Sequence, residues 1–216
     1  MVAKRRKVGN LLALAVLSTL IGKPMHPYEI ASVLRERGKD QDLKIKWGSL
    51  YTVVQNLEKH GFVEATGSVR QGGRPERTVY RITEAGHGEL EDWVRELVAV
   101  PEPEYPRFKA GLSNLLVVNP DDAITLLAQR LDSIEAQLAT AREGLAKYSL
   151  ELPRLLLIEA EYDLALREAE ANWTRSLLGE LKSGAMPGVD QWRAWHETGE
   201  IPAELVEMAE RGRTEH

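Results

Sequence analysis

Apolar residues run almost unbroken from Leu11 to Leu20, with no β-branched cluster to oppose a helix and with Gly22 and Pro24 as stop chemistry. That pattern predicts a first helix buried on most sides. Pro27 suits the first turn of a second helix, whose apolar stripe is Tyr28, Ile30, Ala31 and Leu34 before Gly38 ends it. Leu50, Val53, Val54 and Leu57 fall at i, i+3, i+4 and i+7, so they share one face of a third helix that Gly61 terminates. The pattern then changes period. Phe62 to Val69 and Thr78 to Ile82 read as strands around Gly72-Gly73 and Pro75, which predicts a hairpin with a loop of several residues.

The second half returns to helical spacing. Thr83-Glu84 opens a helix with Leu90, Trp93, Val94 and Leu97 on one face, and Pro101, Pro103 and Pro106 mark a stiff linker after it. Tyr105 to Val118 reads as a short helix, and Asn119-Pro120-Asp121-Asp122 as a strong helix start. From there Ile124, Leu127, Leu131, Ile134, Leu138, Ala141, Leu145 and Tyr148 alternate spacings of three and four, the a/d pattern of a coiled coil. A further helix from near Pro153 to about Lys182 offers Ile158, Tyr162, Ala165, Ala169, Trp173 and Leu177 as its stripe. Two readings of the heptads stand side by side: an antiparallel pair closed within the chain, or one that also buries surface against a second protomer. The second is favoured, because a lone helical hairpin has little core to hold it. Beyond Gly184, Pro187 and Gly188, Trp192 and Trp195 share a face and are read as docking on the preceding helices.

Composition adds a division of charge. The chain of 216 residues is 43% hydrophobic and 28% charged, with a net charge of −5. Residues 1–81 hold 15 Lys and Arg against 7 Asp and Glu, or +8, which leaves −13 for the remainder. Only the first part is suited to a polyanion. There are no cysteines, which excludes thiolate nucleophiles and disulfides and fits a reducing, cytoplasmic setting. Lys4 to Lys7 ahead of the apolar run imitates a secretory signal, but no small-x-small site follows and 11 residues fall short of the ~20 that cross a bilayer. The basic tail is expected to be solvated or to lie on a phosphate backbone, and no membrane partner is expected.

The polar face of the third helix carries the candidate chemistry. Ser49, Thr52, Gln55, Asn56 and Lys59 lie opposite its apolar stripe, with hydroxyls and amides that both donate to and accept from base edges. Lys44 and Lys46 precede the helix, where its amino end would approach phosphates. Arg70, Arg74 and Arg77 crowd the hairpin loop, suited to a groove or a phosphate backbone, with plain solubility as the competing reading. Three helices followed by a basic hairpin make a winged helix-turn-helix.

At this point the residues resemble a family. Leu11 to Leu17, Pro24-Met25-His26-Pro27-Tyr28-Glu29-Ile30, Gly48-Ser49-Leu50-Tyr51, Leu57 to Gly61, and Gly73-Arg74-Pro75-Glu76-Arg77 through Gly86 together resemble the PadR family of bacterial transcriptional regulators. The match is in order from about residue 11 to 98. The resemblance implies a winged-helix repressor that dimerises through C-terminal helices and, in some members, leaves DNA on binding a small aromatic or cationic effector. It implies that Ser49, Tyr51, Thr52 and Gln55 lie at or near the major groove and that Arg74 and Arg77 belong to the wing. Pro27 departs from the glycine common in the family, and Trp47 from a small residue or proline.

The expected architecture is mainly α: a winged helix-turn-helix over 1–98, a linker and short helix over 99–119, long antiparallel helices forming a coiled-coil-like dimerisation domain over 120–184, and a tryptophan-bearing tail over 185–216. The dimer seam is read as Ile124, Leu127, Leu131, Ile134, Leu138, Leu145 and Tyr148. The expected partners are double-stranded DNA carrying an inverted repeat, a second copy of the chain, and a small aromatic effector at a candidate pocket by Trp93, for which core packing is the favoured alternative. No cofactor and no metal are expected: His26, His60, His87, His196 and His216 are scattered without ligand spacing. No nucleophile elbow or phosphate loop is present, so no enzyme chemistry is expected. The rival function is a helical interaction module whose winged domain docks a protein.

Overall fold

The computed structural model describes residues 6–39, 47–69, 77–203 and 206–207. By contact the chain separates into two units, Met1–Glu104 and Tyr105–His216. In the first, α1 (Leu11–Leu20), α2 (Pro27–Glu36) and α3 (Leu50–Lys59) precede a two-stranded antiparallel sheet of β1 (Val63–Val69) and β2 (Arg77–Ile82), and α4 (Glu84–Ala99) follows.

The helix ends are set by local chemistry. Asn10 caps α1 by accepting from the Leu12 amide at 2.9 Å. His26 caps α2 through Nδ1, which accepts from the Tyr28 amide at 3.1 Å, while the Glu29 carboxylate accepts from the His26 amide at 2.8 Å. Gly61 ends α3 at φ +75°, a left-handed residue that lets the Phe62 amide reach back to the Leu57 carbonyl at 2.9 Å. Val63 pairs with Ile82 and Ala65 with Tyr80, after which an irregularity at Thr66 shifts the register to Gly67 opposite Val79. Met25 adds a rung by exchanging both backbone bonds with Tyr80, so the α1–α2 connection is tied to the hairpin.

One core closes this unit. Leu12, Val16, Leu17 and Leu20 of α1 meet Ile30 and Leu34 of α2, Leu50, Val54 and Leu57 of α3, Val63 of β1, and Leu90 and Trp93 of α4. Tyr28, expected on the inner stripe of α2, instead points outward and is exposed. Its place at the second helical position, beside the His26 cap, turns it away from the core side on which Ile30 and Leu34 lie.

In the second unit a short α5 (Arg107–Leu112) and a 3-10 turn at Leu115–Val117 stand where one short helix was expected. Asn119 then caps α6 (Pro120–Tyr148), accepting from the Asp122 amide at 2.8 Å. α7 (Ile158–Ser183) runs back antiparallel to α6, and α8 (Val189–Thr198) closes the end. Leu127, Leu131, Ile134 and Leu138 pack inward with Ala171, Leu178 and Leu181 of α7 and Val189 and Trp192 of α8. Salt bridges flank the seam: Arg142 with Glu168 at 2.7 Å, Arg175 with Glu135 at 2.6 Å, and Arg130 with Glu170.

The stripe expected to bind α7 to α6 is not the one used. Ile158, Tyr162 and Trp173 are exposed, as are Ala165 and Ala169, and Leu177 is half-buried. The inner face is Leu157, Leu164, Ala171 and Leu178, spaced seven apart, with Thr174 and Leu181 between heptads. That spacing matches the 3.5-residue period of α6, so the two seams stay in register along their length. No described helix is long and apolar enough to cross a membrane.

Candidate nucleic-acid interface

α3 presents its polar face as the sequence requires. Leu50, Val53, Val54 and Leu57 are buried, and on the opposite side Thr52, Gln55, Asn56 and Lys59 are exposed. Tyr51 is 52% exposed and meets the His26 ring edge-on, at 6.3 Å between centroids and 70° between planes. Ser49 holds the N-cap position and is half-buried, without a side-chain cap bond.

The single acid of α3, Glu58, is drawn to the flank. Its carboxylate accepts from the Tyr80 hydroxyl in β2, and burial of the phenol, followed by the Glu58 charge and hydrogen bond, raises the Tyr80 pKa above its ordinary value. The opposite face of the helix carries hydroxyls, amides and one lysine. Such a face offers base edges both donors and acceptors. Sequence reasoning missed this pairing, since the two residues lie 22 positions apart and only the sheet register brings them together.

The wing is partly described. β1 and β2 form its stem, with Arg81 and Glu64 paired across the strands at 2.6 Å. Arg70 and Arg74 fall outside the described residues, as do Lys44 and Lys46; Arg77 begins β2 by its backbone.

The seven positions of the expected dimer seam are divided. Leu127, Leu131, Ile134 and Leu138 are buried inside the chain, Ile124 and Leu145 are half-buried, and Tyr148 is exposed. Their heptad rows are occupied by α7 and α8 of the same chain.

Trp93 is in the core of the first unit, 4% exposed, as the packing alternative has it. It is not covered by apolar atoms alone. The Arg6 guanidinium lies 5.1 Å from its ring centroid and pairs with Glu89 at 2.6 Å and with Glu96. The Arg6 side chain is only 7% exposed, so this residue of the basic tail is turned inward rather than toward solvent or phosphate. Two carboxylates one helical turn on either side of Trp93 explain the difference, because they neutralise and bond a cation that burial would otherwise penalise.

Comparison with known proteins places these features. The pattern of the transcriptional regulator PadR-like family matches residues 16–92. An uncharacterised protein X of Lysinibacillus sphaericus is 36% identical over 88 residues, covering 40% of this chain and 78% of that protein. The negative transcriptional regulator PadR of Bacillus subtilis is 25% identical over 130 residues, 60% of this chain and 70% of that one. Its crystal structure with operator DNA superposes with a TM-score of 0.66 at 21% identity, over 79% of this chain and 99% of the other. Its complex with p-coumaric acid gives 0.65 at 21% identity, over 80% and 99%.

Proposed function

Because this chain belongs to the PadR-like family of transcriptional regulators, we propose that it is a DNA-binding repressor that acts in the cytoplasm as a homodimer on an inverted-repeat operator. The observation that carries the reading is the outward face of α3, where Thr52, Gln55, Asn56 and Lys59 stand exposed opposite the buried apolar stripe. Ser49, Tyr51, Thr52, Gln55 and Asn56 read or line the major groove; Lys44, Lys46, Arg70, Arg74 and Arg77 hold phosphates from the approach to α3 and from the wing. The two classes separate experimentally. By fluorescence anisotropy, Arg74→Ala weakens binding to every duplex alike, whereas Gln55→Ala changes which base is preferred at one position, a discrimination of ~1–3 kcal/mol. Uniform losses from both variants overturn the assignment of readout to α3.

A second copy meets this chain on the outer stripe of α7. Ile158, Tyr162, Leu166 and Trp173 are exposed there and form one apolar strip that Leu155 and Leu156 extend at the hairpin end, while the heptad rows of α6 are already filled. Patches of this kind mark association surfaces. A two-fold arrangement would present two α3 helices about one helical turn of DNA apart. Leu166→Glu is expected to give a folded monomer by sedimentation, with operator affinity lost; a variant still dimeric contradicts this surface. The likeness to Bacillus subtilis PadR, solved with p-coumaric acid, supports a small aromatic effector that relieves repression, and Trp93 is its candidate contact.

A further inference from the structure

A cavity of about 420 Å³ opens in the second unit, where the chain turns from α6 into α7. Its walls are aliphatic: Leu145 and Ala146 near the end of α6, Leu152 and Leu157 in the connection, and Leu164 on α7. Among the described residues no aromatic ring lines it. Two guanidinium groups also face this space, and both are held the same way. Arg154 donates to Glu161 through Nε and Nη2, each at 3.0 Å, and Arg142 donates to Glu168 through Nε at 3.2 Å and Nη2 at 2.7 Å. Glu161, Leu164 and Glu168 fall at i, i+3 and i+7, so one face of α7 sets the two carboxylates on either side of a leucine. Each guanidinium is anchored along one edge, and neither Nη1 makes a hydrogen bond or ion pair among the described residues.

We propose that this cavity binds an aliphatic monocarboxylate, its alkyl chain lying on the leucines and its carboxylate accepting from the unengaged donors of Arg142 and Arg154. The volume is at the lower end of the ~300–1,000 Å³ of small-molecule sites. Charge sets the head group. The two arginines are already balanced by two glutamates, so a single negative charge upsets the site less than a phosphate monoester, which carries about −1.5 to −2 at neutral pH. An ammonium head would have to take a glutamate from its arginine. The walls set the body of the ligand, because leucines bury an alkyl chain while offering an aromatic acid no ring to stack on. The glutamates also hold both guanidinium groups in place before the anion arrives, which reduces the side-chain freedom lost on binding. Occupancy needs neither DNA nor a second copy of the chain, so this site stands or falls apart from the proposed function.

The full chain is titrated calorimetrically with octanoate, hexanoate, acetate and octylammonium. Octanoate is expected to fill one site per chain, with hexanoate about tenfold weaker for two fewer buried methylenes, and acetate and octylammonium weaker still. Added p-coumarate should leave bound octanoate in place. The Arg154–Glu161 pair then separates recognition from structure. Arg154→Gln should weaken octanoate about tenfold. Glu161→Gln should bind it at least as tightly as the unaltered protein, because the amide still accepts from Arg154 while one negative charge is gone. A pair that is merely structural would give losses from both sides. The Arg154 side chain is 82% exposed, so neither substitution is expected to disturb folding, which circular dichroism checks. In the unaltered protein, octanoate must also shift the methyl resonances of Leu157 and Leu164. Absence of saturable octanoate binding, as when a second copy fills the cavity instead, overturns the site. So do octylammonium binding as tightly as octanoate, displacement by p-coumarate, unshifted methyl resonances, indifference to Arg154→Gln, or equal losses from the two variants.

Discussion

Gly86→Ala unfolds or severely loosens the first unit, the opposite of what replacing a helical glycine ordinarily does. In an open helix that change stabilises by up to ~1 kcal/mol. Here an added Cβ overlaps the Phe62 carbonyl oxygen and lies 2.8 Å from Ile82 Cγ1. Neither neighbour can yield cheaply. The Phe62 carbonyl accepts from the Thr83 amide at 3.1 Å, and the Phe62 amide completes the end of α3 by donating to Leu57. Thr83 is held in turn by its hydroxyl, which donates to the Gly61 carbonyl at 2.6 Å and accepts from the Gly86 amide at 3.0 Å. The joint between α3, the sheet and α4 is thus a closed set of hydrogen bonds, and a methyl group inside it costs on the order of 3 kcal/mol or more. Gly88, two residues on in the same helix, has nothing within 4 Å of the position a methyl group would take. Chemical denaturation followed by circular dichroism should place Gly86→Ala far below the unaltered protein and Gly88→Ala at or slightly above it. Equal midpoints for the two variants contradict this packing.

Trp192→Ala is expected to be the most damaging single change in the second unit. The indole is 3% exposed in the core formed by α6, α7 and α8. Its Nε1–H donates to the Leu116 carbonyl at 3.2 Å and to the Val118 carbonyl at 2.9 Å, joining α8 to the 3-10 turn that precedes the Asn119 cap. Truncation leaves a cavity and frees that turn, for a loss of about 3–5 kcal/mol. Trp192→Phe keeps most of the volume and loses the donor. His196 Nε2 still contacts the Leu116 carbonyl at 2.9 Å, so the orphaned acceptor is chiefly Val118 and the cost should be ~1–3 kcal/mol. The expected order in a denaturant titration is unaltered protein, then Phe, then Ala; an alanine variant as stable as the parent would show that α8 does not close this core.

The winged unit was legible because several local signals agreed. Gly22, Pro27 and Gly61 punctuate the helices where the sequence puts them, and the apolar face of α3 is the one its i, i+3, i+4, i+7 spacing specifies. α7 was misread for a physical reason. Tyr162 and Trp173 are the conspicuous apolar residues of that helix, but the heptad that matches α6 runs through Leu164, Ala171 and Leu178, with Thr174 in an inner place. A small side chain and a threonine carry weak hydrophobic signal, yet they let two helices approach closely, and the large aromatics were left outside. Arg6 was equally hidden. A basic run at a chain start reads as solvated, and only the fold brings Glu89, Trp93 and Glu96 to within reach of it.

Sequence-specific binding through α3 and the wing is the centre of the account, and it is measured by titrating the intact chain against a duplex from its own upstream region and a scrambled duplex of equal length, from ~50 to ~200 mM salt. The account predicts that both complexes weaken by orders of magnitude across that range while the upstream duplex stays at least ~10³-fold tighter. Affinities that are equal for the two duplexes at every salt concentration, or that do not respond to salt, would contradict it.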